Sequence, residues 1–152
     1  MFTPSDPHFE RRVRDSFSRQ PAMALIGASI TRVEPGLVEV TLPYRDDLTQ
    51  QHGFLHGGIV GMIADTAGGY AGYTLFPADS SVLTVEYKLN LMAPGDGQLF
   101  VAQGRVMKPG RTLCVVQAEV HAVTGEKRTL CALMQQTLIV LEGRNDNKIQ
   151  RA

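Results

Sequence analysis

One carboxylate stands alone in the longest apolar run of the chain. Residues 57–75 read GGIVGMIADTAGGYAGYTL, and between Asp47 and Asp79 the only formally charged residue is Asp65. A buried carboxylate is costly unless it is paired or hydrogen-bonded. On a helix its neighbours at i±3 and i±4 are Met62, Gly61, Gly68 and Gly69, none of them a cation. Asp65 is therefore either satisfied by backbone groups, by a hydroxyl such as Thr66 or by a contact with a second copy, or it faces a cleft as a general base or nucleophile. Eight residues upstream the run opens with His56-Gly57-Gly58. The first turn of a helix presents unpaired N–H groups and the positive end of its dipole, and glycine lets a ligand come against the backbone. Such a turn can polarise a carbonyl and hold a developing oxyanion.

The elements that position these groups follow from periodicity and turn residues. In residues 6–20, Phe9, Val13 and Phe17 recur every fourth position, which predicts a short amphipathic helix stopped by Pro21. Residues 25–33 and 37–42 predict two strands joined at Glu34-Pro35-Gly36. The stretch from Gly57 lacks alternation and is apolar on nearly every side, so it predicts a helix buried on nearly every side. In residues 82–91, Leu83, Val85, Tyr87, Leu89 and Leu91 alternate with Val82, Thr84, Glu86, Lys88 and Asn90, a strand with one buried face. Turn signals at 94–97, 108–110 and 124–126 separate it from strands over 98–107, 112–122 and 128–141, which predicts an antiparallel meander. The order ββαββββ defines an α+β architecture: an antiparallel sheet curled around one apolar helix. The chain divides into an N-terminal helical segment over 1–24, one domain over 25–141 and a tail over 142–152 whose composition predicts disorder.

Composition narrows the classes. Hydrophobic residues make up 43 % and charged residues 20 %, ordinary for a globular domain. Fifteen basic and fifteen acidic residues cancel, which leaves no electrostatic footprint for nucleic acid or an anionic membrane. The polar N-terminal stretch MFTPSDPHFERRVRDSF has no apolar signal region, and the glycines and Asp65 make residues 57–78 poor material for a membrane span, so a cytoplasmic protein is expected. Cys114 and Cys131 lack metal-ligand spacing and read as small core residues. His52 and His56 have an HxxxH spacing, but Gly53 interrupts any shared helix face and no third ligand is suitably spaced, so no metal is expected.

The His56-Gly57-Gly58 motif with Asp65 nine residues after the histidine in GMIADTAGG, the strand LTVEYKLNLMAPG and the turn MKPGRTL resemble the PaaI-type branch of the hotdog-fold acyl-CoA thioesterases. The resemblance covers roughly residues 25–140. It implies that Asp65 activates water or attacks the thioester, that the Gly57 N–H polarises its carbonyl, and that His56 shapes the turn. Where that family often carries asparagine six residues before the motif histidine, this chain has Gln50, which offers the same donor and acceptor on a longer arm. Thr84 matches a hydroxyl that holds the water. Asn90, Lys108, Gly110 and Arg111 match positions that meet coenzyme A, which is part of the substrate and leaves no separate cofactor to expect. The family places its active site between two subunits, so a homodimer or a dimer of dimers is implied.

The acyl group is not identified. Phe54, Leu55, Met62, Tyr70 and Tyr73 could line a medium-chain or aromatic acyl pocket or belong to the core. Two other functions compete. Hotdog hydratases use an aspartate with a histidine five residues later, a spacing shared by Asp47 and His52, although the glycine and Asn-Pro that usually surround the pair are missing. A non-catalytic acyl-CoA sensor would keep the groove without a competent carboxylate.

Overall fold

The computed structural model describes residues 2–147. Helix α1 (Phe9–Ser18) and helix α2 (Pro21–Ile26) precede strands β1 (Ser29–Glu34) and β2 (Leu37–Pro43). After a 3-10 turn at Asp46–Leu48 comes helix α3 (Gly57–Tyr73), then β3 (Ser80–Leu91), β4 (Leu99–Lys108), β5 (Leu113–Thr124) and β6 (Lys127–Glu142). All six strands form one antiparallel sheet that packs around α3, the α+β arrangement the sequence predicts. Val38, Val40, Leu42, Ile63, Phe100, Val116, Met134 and Leu138 fill the interior, and Cys114 and Cys131 lie among them as free thiols.

Close approach of helix and sheet depends on missing side chains. A Cβ on Gly104 of β4 would lie 2.4 Å from the Ala67 backbone, and one on Gly68 would lie 1.9 Å from Gln136 Oε1. Sheet and helix meet there backbone to backbone. The side of α3 left uncovered carries Met62, Asp65, Thr66 and Gly69, which are only partly buried. Their spacing of three and four residues places them on one helical face.

Three sequence expectations are corrected. The first helix does end before Pro21, at Ser18, but Pro21 opens a second one: it occupies the first turn of α2, where its missing N–H has no partner to lose. Residues 25–28 therefore finish α2 and its Gly27 cap, and β1 starts at Ser29. Next, β3 is not part of the meander. The sheet order is β1-β2-β4-β5-β6-β3, with β3 at an edge beside β6, and residues 92–98 carry the chain past β6 and β5 to β4. Turn residues mark where a strand ends, not which strand lies beside it. Finally, a bulge between Thr84 and Glu86 reverses the faces of β3. Val82 and Thr84 stand opposite the buried Val140 and Leu138, whereas past the bulge Tyr87, Leu89 and Leu91 stand opposite Gln136, Met134 and Ala132. Leu83 and Val85 consequently leave the predicted buried face and are more than half exposed. Tyr87 and Leu91, although on the helix side, are likewise more than half exposed, so only Leu89 of the five predicted residues is partly buried.

The N-terminal segment is tied to the far end of α3 by Arg12. Its guanidinium donates to the carbonyls of Tyr73 (3.0 Å), Phe76 (2.8 Å) and Pro77, pairs with Asp6 at 3.3 Å and lies over the Tyr73 ring. A cation at the C-terminal end of α3 suits its dipole. Past β6, Asp146 accepts a bond of 2.8 Å from Arg19; residues 148–152 of the predicted tail lie outside the described residues.

Candidate active site

Asp65 is held by two donors from the sheet. Thr84 Oγ1 on β3 donates to Asp65 Oδ1 at 2.7 Å, and Gln136 Nε2 on β6 donates to the same oxygen at 3.0 Å. Gln136 Nε2 also reaches Thr84 Oγ1 (3.4 Å) and the Asp65 carbonyl (3.3 Å). Thr66 is not a donor to Asp65, because its hydroxyl turns back to the Met62 carbonyl at 2.8 Å. With Oδ1 anchored, Oδ2 has no hydrogen-bond partner among the described residues and is the oxygen open to a water or a substrate. A carboxylate with one oxygen fixed and one free has the geometry of a positioned base or nucleophile.

Gln136 is the participant that sequence reasoning missed. It is 1 % exposed and is the only polar residue among the inward-facing positions Ala132, Met134, Gln136, Leu138 and Val140 of β6. Which residue of the pair Gln135-Gln136 faces inward depends on register, so the signal becomes readable only once β6 is aligned with its neighbours.

A cavity of about 860 Å³ opens over the uncovered face of α3. Asp65, Met62, Thr66, Gly69 and Tyr70 form its helix side, Val82, Leu83 and Thr84 one wall, and Ser16 of α1, Gln20 of the link and Met23 of α2 the other. The Tyr70 hydroxyl is bonded to Ser16 Oγ (2.9 Å) and Gln20 Nε2 (3.0 Å), and burial pushes its phenol up to about 12. Of the predicted acyl-lining residues, Met62 and Tyr70 face this cavity, while Leu55 and Tyr73 are core residues and Phe54 lies away from it.

The first turn of α3 is arranged for a different task. His56 is the N-cap, and its Nδ1 accepts the Gly58 N–H at 2.9 Å, so the proton of the neutral ring is assigned to Nε2. The Gly57 N–H makes no hydrogen bond among the described residues and remains an available donor. Gln50 does not reach Asp65 in this chain: its Oε1 accepts the His52 N–H and closes the loop before the helix. Asn90, near the end of β3, Lys108, the last residue of β4, and Gly110 and Arg111, in the β4–β5 turn, are all exposed. That turn adjoins the cross-strand row Leu83–Ile139–Leu113. Asn90 is seven residues further along β3 than Leu83, about 23 Å at strand rise, so the four do not converge within one chain.

The alternative pair Asp47 and His52 is not assembled. Both Asp47 oxygens are engaged by Arg45, at 3.0 and 2.7 Å, and this bonding holds the Asp47 carboxyl below its ordinary range. Among the described residues no cluster of three or more histidine, cysteine, aspartate or glutamate side chains could hold a metal ion, and no helix is long and apolar enough to cross a membrane.

An apolar helix wrapped by an antiparallel sheet, here with a carboxylate hydrogen-bonded to two strands, defines a hotdog domain. The chain belongs to the thioesterase superfamily, whose family model matches residues 52–129, and it is a thioester hydrolase. It is similar to a thioesterase family protein from Silicibacter pomeroyi, with 47 % identity over 89 % of this chain and 99 % of that one, at a TM-score of 0.87. The proofreading thioesterase EntH of Klebsiella pneumoniae is 27 % identical over 76 % of this chain and 85 % of its own length. The PaaI protein of Escherichia coli shares the fold, with a TM-score of 0.79 at 18 % identity, covering 90 % of this chain and 95 % of that one.

Proposed function

We propose that this protein hydrolyses an acyl-coenzyme A with a medium-chain or aromatic acyl group, using Asp65 as base or nucleophile. The observation that carries this reading is the Asp65 carboxylate at the wall of the cavity, one oxygen anchored by Thr84 and Gln136 and the other free. Water activated by that oxygen, or the oxygen itself, attacks the thioester carbon. The bond to sulfur then breaks and coenzyme A leaves as the thiol, taking up a proton. On the water route the acid is released in the same step, whereas direct attack leaves an acyl–Asp65 anhydride that a water molecule then hydrolyses to the free acid and the restored carboxylate. A free first-turn N–H at Gly57 supplies the oxyanion donor, and the His56 cap keeps the Gly58 N–H from competing for it.

These two parts cannot serve one thioester within one chain. Gly57 and Asp65 are eight residues apart on α3, about 12 Å at helical rise. Reaction requires contacts of about 3 Å to a single carbonyl. A second copy resolves the mismatch. β3 is an edge strand of 12 residues with Leu83, Val85, Tyr87 and Leu91 exposed, a surface that proteins seldom leave open. Antiparallel pairing of two β3 strands about their centres sets the Thr84 end, next to Asp65, against the Leu91 end, next to Gly57, of the other copy. The same pairing brings Gln50 and Asn90 of one copy toward Asp65 and the 108–111 turn of the other. Lys108, Gly110 and Arg111 then hold the phosphate-bearing part of coenzyme A, a role that suits the bidentate fork of arginine.

The test is hydrolysis of a series of acyl-CoAs with a free-thiol readout, beside Asp65→Asn. The amide keeps the shape and an acceptor oxygen but can neither take a proton from water nor attack. Loss of at least about 10²-fold in kcat is expected, with folding and acyl-CoA binding retained. A folded Asp65→Asn protein with near wild-type turnover removes Asp65 from the mechanism.

A further inference from the structure

Among the described residues, Gly69 is the one glycine of α3 that no packed neighbour requires to be glycine. Cβ atoms on Gly57, Gly61, Gly68 and Gly72 would lie 2.8, 3.3, 1.9 and 2.4 Å from side chains packed on the helix, and one on Gly58 would meet the His56 ring at 3.0 Å. Among the described residues, a Cβ on Gly69 would meet nothing within 4 Å. Its backbone is helical rather than left-handed, so conformation does not demand glycine either. Glycine inside a helix lowers stability relative to alanine, so the residue is retained here at a loss.

What Gly69 leaves is space. It lies one turn beyond Asp65 on the uncovered face of α3 and lines the same cavity, between Met62, Tyr70, Val82 and the α1–α2 wall. We propose that Gly69 is a specificity-determining residue: the acyl group crosses the helix at Gly69, and the missing side chain admits chains or rings longer than a few carbons. Beyond it, the Ser16–Gln20–Tyr70 cluster sets the far wall. The inference rests on the acyl-CoA hydrolase reading and adds to it the place where acyl size is measured.

The experiment compares wild type, Gly69→Ala and Gly69→Leu on acetyl-, hexanoyl-, decanoyl- and benzoyl-CoA. Both variants should fold, and Gly69→Ala should melt at a higher temperature because alanine favours the helix. The ratio of kcat/KM for decanoyl- over acetyl-CoA should fall by at least about 10-fold in Gly69→Leu, and by less in Gly69→Ala, since each added carbon fills part of the same pocket. Binding of the same compounds is read in parallel with Gly69→Leu placed on Asp65→Asn, so the size effect is measured without turnover. A selectivity profile identical to wild type, or an equal loss for every acyl group, overturns the assignment of Gly69 even if wild type is an active thioesterase. Wild type with no turnover of any acyl-CoA overturns the function itself, and the binding series still shows whether Gly69 measures acyl length.

Discussion

Gln136 reaches across from β6 to donate to Asp65 Oδ1 at 3.0 Å, and its other amide atom lies against the α3 backbone at Gly68. This buried amide fixes the carboxylate with a neutral donor and brings no second charge into the site. Gln136→Met, similar in volume but without the donor, should lower kcat by about 10- to 100-fold, because misplacing a catalytic group by an ångström carries a loss of that order. KM should change little. Gly68→Ala provides an independent check, since its Cβ would lie 1.9 Å from Gln136 Oε1 and must displace the amide. Steady-state kinetics on both variants test the point; unchanged kcat in the two of them would reduce Gln136 to a packing residue.

Coenzyme A binding is read through Arg111, exposed in the β4–β5 turn. If it meets the phosphate-bearing end of the substrate rather than the thioester, Arg111→Ala raises KM and leaves kcat nearly constant, the pattern of lost ground-state binding. The KM increase should shrink with rising salt as the charge contribution is screened. A collapse of kcat at constant KM would assign Arg111 to the chemistry instead.

Much of this architecture was legible in the residues. The apolar run around Asp65 has no strand period, and Gly57–Tyr73 is helix from the predicted first residue. The strands fall close to the predicted ranges because alternation and turn residues are local signals. Pairing is not local. Nothing in residues 82–91 says that β3 lies beside β6, and the bulge at Thr84/Glu86, which turns Thr84 toward Asp65 and Leu83 away from the interior, leaves the alternation looking unbroken. Gln136 was hidden for the same reason. Its meaning comes from the register of β6 against β3 and from the gap at Gly68, neither of which is written in its neighbours.

Alkaline stability should record two buried groups. Burial pushes the Cys114 thiol from 9.0 up to about 11 and the Tyr70 phenol from 10.0 up to about 12. Both are acids whose neutral form is favoured in the folded chain. Their contribution is fully present below the unfolded values and is lost as pH rises through the folded ones. The melting temperature should therefore hold up to about pH 9 and then fall through pH 11 to 12. Cys114→Ala should flatten the part of the fall between pH 9 and 11, whatever it does to the absolute melting point. An identical pH slope in that variant would show that Cys114 is not the group being titrated.

The separation of Gly57 from Asp65 makes the strongest demand. Because the two stand eight residues apart on α3, an oxyanion donor and a carboxylate acting on one carbonyl must come from two chains. Asp65→Asn removes the carboxylate. Gly57→Pro removes the N–H, and proline is tolerated at the first helical position, where only the flexible Leu91 side chain must yield to a new Cβ. Each variant alone should be inactive as a dimer. In a mixed dimer, one site combines both defects and the other pairs the intact Asp65 of the Gly57→Pro chain with the intact Gly57 of the Asp65→Asn chain. Random mixing in equal amounts makes half the dimers mixed, each with one working site of two, so about a quarter of wild-type activity should return. If both groups acted within one chain, no site in any mixed dimer would be whole. Refolding or co-expressing the two variants and measuring thiol release distinguishes the cases, with light scattering to confirm that dimers exchange. Failure to recover activity in a demonstrably mixed population would overturn the site shared between two chains.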